Sequence, residues 1–273
     1  MNNDDLVRAI EARHSVRQYL DQPIPPEIRA ELDQEAAQGN AASGLAIKIF
    51  YDEPEGFSGL MAHYGSFRGV QNYIALVQRT GTHLDTACGY YGQRLVLLAQ
   101  HLGLNTCWVG MSYNRRKVKA MLDDDESLAL MISLGYGQIQ GKPHKSKPIE
   151  ALGSVRGGGA MPAWFRSGLE MAALAPTAMN QQKFTFELDG TTVHASKGTG
   201  SFSAVDLGIA QCHFEVGASR LVCHSEVGAS RLVCHSEVGA SRPVCDSEVG
   251  AGRPEHHSDG PPAWTWDTEP WQR

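Results

Sequence analysis

The sequence predicts an α+β fold built from two unequal halves, and three observations carry that expectation. Apolar residues recur at helical spacing in some stretches and at strand spacing in others, without the regular alternation of a doubly wound sheet. A triple glycine, Gly157 to Gly159, separates a long first stretch from a shorter second one. The order helix, strands, helix occurs on both sides of that break, as in two pseudo-repeated copies of which the second has lost its tail.

The elements follow in order. Asp4 to Arg13 places Leu6, Val7 and Ile10 on one helical face, and Pro25 to Ala36 reads as a helix opened by prolines. Leu45 to Tyr51 alternates like a half-buried strand, and Tyr73 to Val77 is an apolar run of strand length. Thr86 to Leu102 is apolar around most of its circumference, so it reads as a central helix stopped by Gly103. Leu128 to Leu134 is a further strand. In the second half, Trp164 to Leu174 reads as a helix, Phe184 to Ala195 as a hairpin turning at Asp189-Gly190, and Ala204 to Val216 as a last helix. The divisions are therefore 1–155 and 156–216, followed by repeats over 217–252 and a tail over 253–273.

The repeat unit EVGASRLVCHS begins at Glu215 and recurs at Glu226, then as EVGASRPVCDS at Glu237, a period of 11 residues. Such a period suits a right-handed helical supercoil that would align Cys223, Cys234 and Cys245, but a glycine in every unit and Pro243 oppose a long helix. The Cys-His neighbours lack the short pairing of a structural zinc site, so no metal is expected. Removing three units of 11 from 273 residues leaves 240, and the repeats are expected to lie outside the core.

Composition excludes several classes. The chain is 42% hydrophobic and 20% charged, which is globular, and its net charge of −6 opposes broad capture of nucleic acid or an anionic membrane. An acidic amphipathic start without an apolar stretch, and no run of about 18 apolar residues, point to a cytoplasmic protein without membrane contact. Cys88, Cys107 and Cys212 stand in apolar surroundings and read as buried free thiols.

Four segments could carry chemistry. Arg13, His14, Ser15 and Arg17 set two guanidinium forks and a hydroxyl within five residues, a set suited to a phosphate dianion. Lys145 and Lys147 alternate, so an extended chain points both ammonium groups the same way. Val109 and Gly110 close an apolar segment where a backbone N–H could approach a flat ring. Pro176, Thr177, Ala178 and Asn180, with Gln182, form a proline-fixed turn rich in groups that hydrogen-bond a heterocycle edge. Each alone has an ordinary structural explanation as a helix end, a basic loop, a packed core segment or a capped turn.

In this order, RHSVRQY, CGYYGQRLVLLAQHLGLNTCWVG, LGYGQIQGKPHKSKPIE and APTAMNQQKF resemble the nitroreductase family of flavoenzymes, over about residues 5 to 216. The resemblance implies that FMN is the cofactor, with Arg13, His14, Ser15, Lys145 and Lys147 at its phosphate end. It implies that Arg17 lies beside the pyrimidine edge, where a fixed cation stabilises charge developing at N1 and O2, and that the backbone of Val109 and Gly110 faces N5. Arg17 and Gly110 are thus the expected catalytic positions. NADH or NADPH is the implied transient electron donor, and an electron-poor small molecule such as a nitroaromatic or quinone the acceptor.

The chain departs from the family at one place. AQGNAASGLAIKIF carries no proline where the family's proline-serine-asparagine turn normally stands, and that turn appears late, as APTAMNQQ. In the usual homodimer it reaches the partner's flavin. The expectation is therefore a nitroreductase-like fold in which Pro176, Thr177, Ala178 and Asn180 complete one flavin site within an internal pseudo-dimer, so that a monomer suffices. The alternatives are a flavin-binding protein without turnover and a flavin-fragmenting enzyme of the same fold.

Overall fold

The computed structural model describes residues 1–59, 64–225 and 265–266. Helix α1 (Asn3–Ala12) opens with a capping box: the Asn2 side chain accepts from Asp5 N at 2.8 Å, and the Asp5 carboxylate accepts from Asn2 N at 3.1 Å. It ends at Arg13, whose extended backbone (φ −71, ψ 123) sends the chain straight into the RHSVR segment. Helix α2 (Pro26–Ser43) starts behind Pro25 and closes on Gly44 at φ 75. It runs past the expected end at Ala36 and through Gly39, which is buried inside the helix against Tyr91.

The first sheet contains β1 (Lys48–Phe50), β2 (Asn72–Arg79), β3 (Asn105–Val109) and β4 (Glu126–Gly135), in the antiparallel order β1-β2-β4-β3. Tyr73 and Cys107 both pair with Ser133 across β4, which fixes the register. Strand β3 was read in the sequence as an apolar segment only, and β1 is shorter than the predicted Leu45–Tyr51. Helix α3 (Asp85–His101) packs on this sheet, buried on most sides as expected. A short helix α4 (Arg115–Lys119), unpredicted, is capped by Asn114, whose carbonyl oxygen accepts from Lys117 N.

The second half begins with β5 (Gly153–Val155) and α5 (Ala163–Ala172). The hairpin of β6 (Phe184–Asp189) and β7 (Thr192–Lys197) turns at Gly190, φ 61, where glycine takes the left-handed conformation without strain. With β8 (Thr265–Trp266) they form a second sheet, order β5-β6-β7-β8. Helix α6 (Ser203–Ser225) packs on β6 and β7, and continues beyond Val216, so that Ala218 of the first repeat unit is fully buried. The remaining repeats lie outside the described residues. In this half Phe186 and Phe214 stack 4.7 Å apart at 20°, and Phe165 meets Phe214 edge-on at 5.5 Å; burying each contributes about 1.5–3 kcal/mol.

The helices form a layer between the sheets, and α3 meets α6 in a reciprocal contact. A methyl group at Gly89 would overlap the carbonyl oxygen of Val205, and one at Gly208 would overlap that of Thr86. Each helix offers a carbonyl and, three residues on, the glycine that admits the other's carbonyl. Tyr90 of α3 also donates its hydroxyl hydrogen bond to Glu215 of α6. The mixed α and β architecture matches the fold class the sequence predicts.

Candidate functional site

Because α1 ends in extended backbone, residues 13–17 run alongside β3: Ser15 bridges to Thr106 in parallel, and Val16 N donates to Thr106 O at 3.0 Å. Alternation then separates the side chains, with Val16 buried on one face and Arg13, Ser15 and Arg17 on the other. Arg13 and Arg17 stand about 13 Å apart along such a segment. Arg13 is 4% exposed, and its Nε is buried without a hydrogen-bond partner. Among the described residues no carboxylate pairs with it. Burial pushes the guanidinium down to about 10, a sign that the charge is held where water reaches poorly.

Three imidazoles surround this cation. Burial and then the positive Arg13 lower the pKa of His14 and His144, and drive His213 down to about 3. His213 is therefore neutral. Its Nδ1 donates to Met171 O at 3.0 Å and its Nε2 accepts from Gln93 Nε2 at 2.7 Å, while Gln93 Oε1 accepts from Trp108 Nε1 at 3.0 Å. This chain crosses from α5 and α6 through α3 to β3. The Ser15 side chain reaches the Cys107 thiol, whose pKa burial raises against the pull of Arg17, Ser15 and Arg13. Cys88, Cys107 and Cys212 are all buried free thiols.

At the far end of the segment, Arg17 lines a pocket of about 380 Å³ with Gly65, Ser66, Phe67, Trp108, Val109, Gly110 and Ser112. Its guanidinium stands 5.9 Å from the Phe67 ring centre. Among the described residues, the lining carries this one positive charge and no negative one. Gly110 is accounted for by packing: a Cβ there would lie 2.7 Å from the Phe202 ring, which arrives from the second half. The expected pair Val109 and Gly110 thus does line a concavity with Arg17. Phe202 gave no signal in the sequence, and Phe67, Trp108 and Ser112 gave none beyond their neighbours.

The late turn docks on the basic segment. Asn180 Nδ2 donates to Lys145 O at 2.9 Å, Lys147 N donates to Gln182 Oε1 at 2.7 Å, and Lys147 Nζ donates to Gln182 O at 2.8 Å. The Ala173 carbonyl behind α5 accepts from Ser146 Oγ, Gln182 Nε2 and His144 Nε2 at 2.7, 2.8 and 3.2 Å. Inside the turn, Thr177 Oγ1 accepts from Gln182 N, and Asp206 on α6 accepts from Ala178 N at 2.9 Å. Met179, Asn180 and Gln182 adopt φ of 52, 54 and 46, left-handed conformations of non-glycine residues that cost of order 1–3 kcal/mol each where not locally favoured. Such strain persists where surrounding contacts over-determine it. His144 and Gln182, central to this docking, stood in the quoted motifs.

The predicted residues therefore fall into two adjoining groups: Arg17, Val109 and Gly110 around the pocket, and Arg13 and His14 near His144 in the segment that Lys145, Lys147 and the 176–182 turn stitch together. A family model described as "Putative TM nitroreductase" matches residues 5–218. The chain belongs to this nitroreductase family.

Among solved structures, a putative nitroreductase of Thermotoga maritima shares the fold at a TM-score of 0.57 and 22% identity, covering 82% of this chain and 88% of that one. A putative nitroreductase of a Desulfovibrio desulfuricans subspecies, in complex with FMN, aligns at a TM-score of 0.45 and 23% identity over 54% of this chain and 94% of its own. A nitroreductase-like protein of Streptococcus mutans aligns at 0.47 and 13% identity over 54% and 96%. No curated protein matches the chain. Among the described residues of this nitroreductase-family chain, no helix is long and apolar enough to cross a membrane.

Proposed function

We propose that this chain is an FMN-dependent oxidoreductase that takes electrons from NADH or NADPH and delivers them to a small electron-poor acceptor such as a nitroaromatic or quinone. The observation that carries the reading is Arg13: a buried guanidinium whose Nε has no partner asks for an anion, and a flavin phosphate is the anion the family uses. The residues fit the group. Arg13, His14 and Ser15, with Lys145 and Lys147, would hold the phosphate; Arg17 would stand at the pyrimidine edge and Val109 and Gly110 at the ring.

When bound, FMN supplies the two-electron carrier that no side chain here provides. For a nitro acceptor, one reduced dinucleotide and one proton give the nitroso product, the oxidised dinucleotide and water. Arg17 is an exposed cation that favours the anionic form of an electron-rich ring beside it. The pocket walls of Phe67 and Trp108 displace water from the reacting face, and the Gln93–His213 chain holds the indole of Trp108 in place.

A single site completed within one chain is part of the proposal. The contact of Asn180 with Lys145 joins the two halves beside the phosphate group, and the reciprocal approach of Gly89 and Gly208 supports an internal pseudo-dimer. The absorbance spectrum of the purified protein, recorded before and after anaerobic addition of NADH or NADPH, tests the function. A flavin spectrum that bleaches is expected. A protein that stays colourless and fails to take up added FMN overturns the reading.

A further inference from the structure

We propose that the phosphates of the nicotinamide dinucleotide dock on the exposed cations of α4, beside the mouth of the Arg17 pocket. The inference rests on the oxidoreductase reading and names where that donor is recognised.

The chain leaves the pocket at Ser112 and enters α4 three residues later, so the sequence RRKVK begins close to the lining. Arg115 folds back over the Tyr113 ring at 5.9 Å, which orients its guanidinium while leaving the residue exposed. Lys117 is committed to Glu55 at 3.0 Å. Arg116 and Lys119 are exposed and, among the described residues, have no carboxylate partner. Val118 is fully buried and holds the helix to the body.

Of the four acids at 123–126, three pair with cations outside this cluster, and Asp124 forms no ion pair among the described residues. Asp123 and Glu126 both engage Lys48, at 3.3 and 2.5 Å, and Asp125 engages Arg79. In a chain of net charge −6, a run of cations that begins three residues after the lining residue Ser112, beside a pocket whose described lining has Arg17 and no acid, is a local inversion of sign. Field lines converge on such a mouth and raise the encounter rate of a polyanion. The rim also exposes Met111 and Tyr64, next in sequence to the lining residues Gly110 and Gly65, as apolar lips for a flat ring. A dinucleotide with its nicotinamide in the pocket and its phosphates on Arg115, Arg116 and Lys119 uses both features.

The test compares donors on the flavin-loaded protein. Arg116→Glu combined with Lys119→Glu, and Arg115→Gln separately, should raise the KM for NADPH and NADH roughly five- to tenfold, more for NADPH because its additional phosphate carries more charge. Calorimetric binding of NADP⁺ should weaken in parallel and lose its dependence on salt. The uncharged donor N-benzyl-1,4-dihydronicotinamide should show no such change. Equal losses with charged and uncharged donors, or unchanged KM for both dinucleotides, overturn the docking site. If the uncharged donor itself fails to bleach flavin in the unaltered protein, the oxidoreductase reading is what falls.

Discussion

Arg13 illustrates how one residue can oppose stability and serve binding. Its buried charge lacks a partner at Nε, and an uncompensated charge of this kind costs the folded state, whereas an apolar side chain of similar volume would not. Arg13→Met should therefore leave the thermal midpoint of the flavin-free protein unchanged or higher. The same variant should lose on the order of 1.5–3 kcal/mol of FMN affinity, read by fluorescence titration of the apoprotein, through loss of a charge-assisted bond to phosphate. A lower midpoint together with unaltered affinity would show that the residue is structural.

Asp206 gives a second residue-scale expectation, with a sign opposite to that of most carboxylates. Burial raises its pKa from 3.8 to about 6, against the hydrogen bond from Ala178 N. Between those values the folded state binds the proton more tightly than the unfolded chain. Its contribution to stability is full below the unfolded value and is lost as pH rises through about 6. Asp206→Asn keeps an acceptor for Ala178 N and removes that loss, so it should be more stable than the parent at pH 7.5 by on the order of 1 kcal/mol, allowing for partial solvent screening. At pH 4 the two should melt alike. Thermal melts at both pH values check this.

At the level of elements, the 176–182 turn matters through what it holds. The Asn180 amide reaches Lys145 O, so in this structure its contact is with the basic segment. Asn180→Gly preserves the left-handed backbone while deleting that tether, which isolates the hydrogen bond from backbone strain. The expected result is a reduced preference for FMN over riboflavin, with a fold intact by circular dichroism. Part of this element was readable in advance, since APTAMNQQ combines a proline with hydrogen-bonding side chains; the left-handed Met179 and Gln182 were not, because neither residue favours positive φ. Strand β3 was not, because GLNTCWVG lacks alternation: β3 is buried along both faces except at Trp108. The packing reason for a glycine at 110 was hidden for a related reason, since the Phe202 ring that fills its Cβ position lies 92 residues away in sequence and no local pattern announces it.

For the whole molecule, the sequence disclosed the helix and strand content and the order of the motifs, but not how the halves meet. The reciprocal fit of Gly89 and Gly208 depends on two backbones approaching closely, and single glycines inside helical patterns carry no label that says which partner they await. If the flavin site is built within one chain, sedimentation should give a species near the chain mass of 29.7 kDa with one FMN bound. A stable dimer with two flavins would replace that account with an ordinary homodimer. The crossing also bears on concentration. Subunits that share a site separate on dilution and release their cofactor as they do, whereas Gly89 and Gly208 are joined by an unbroken polypeptide and meet by a first-order process. The FMN dissociation constant should accordingly be the same at nanomolar and at micromolar protein, and the two faces of the crossing would have been free to change residue by residue without having to remain copies of one another.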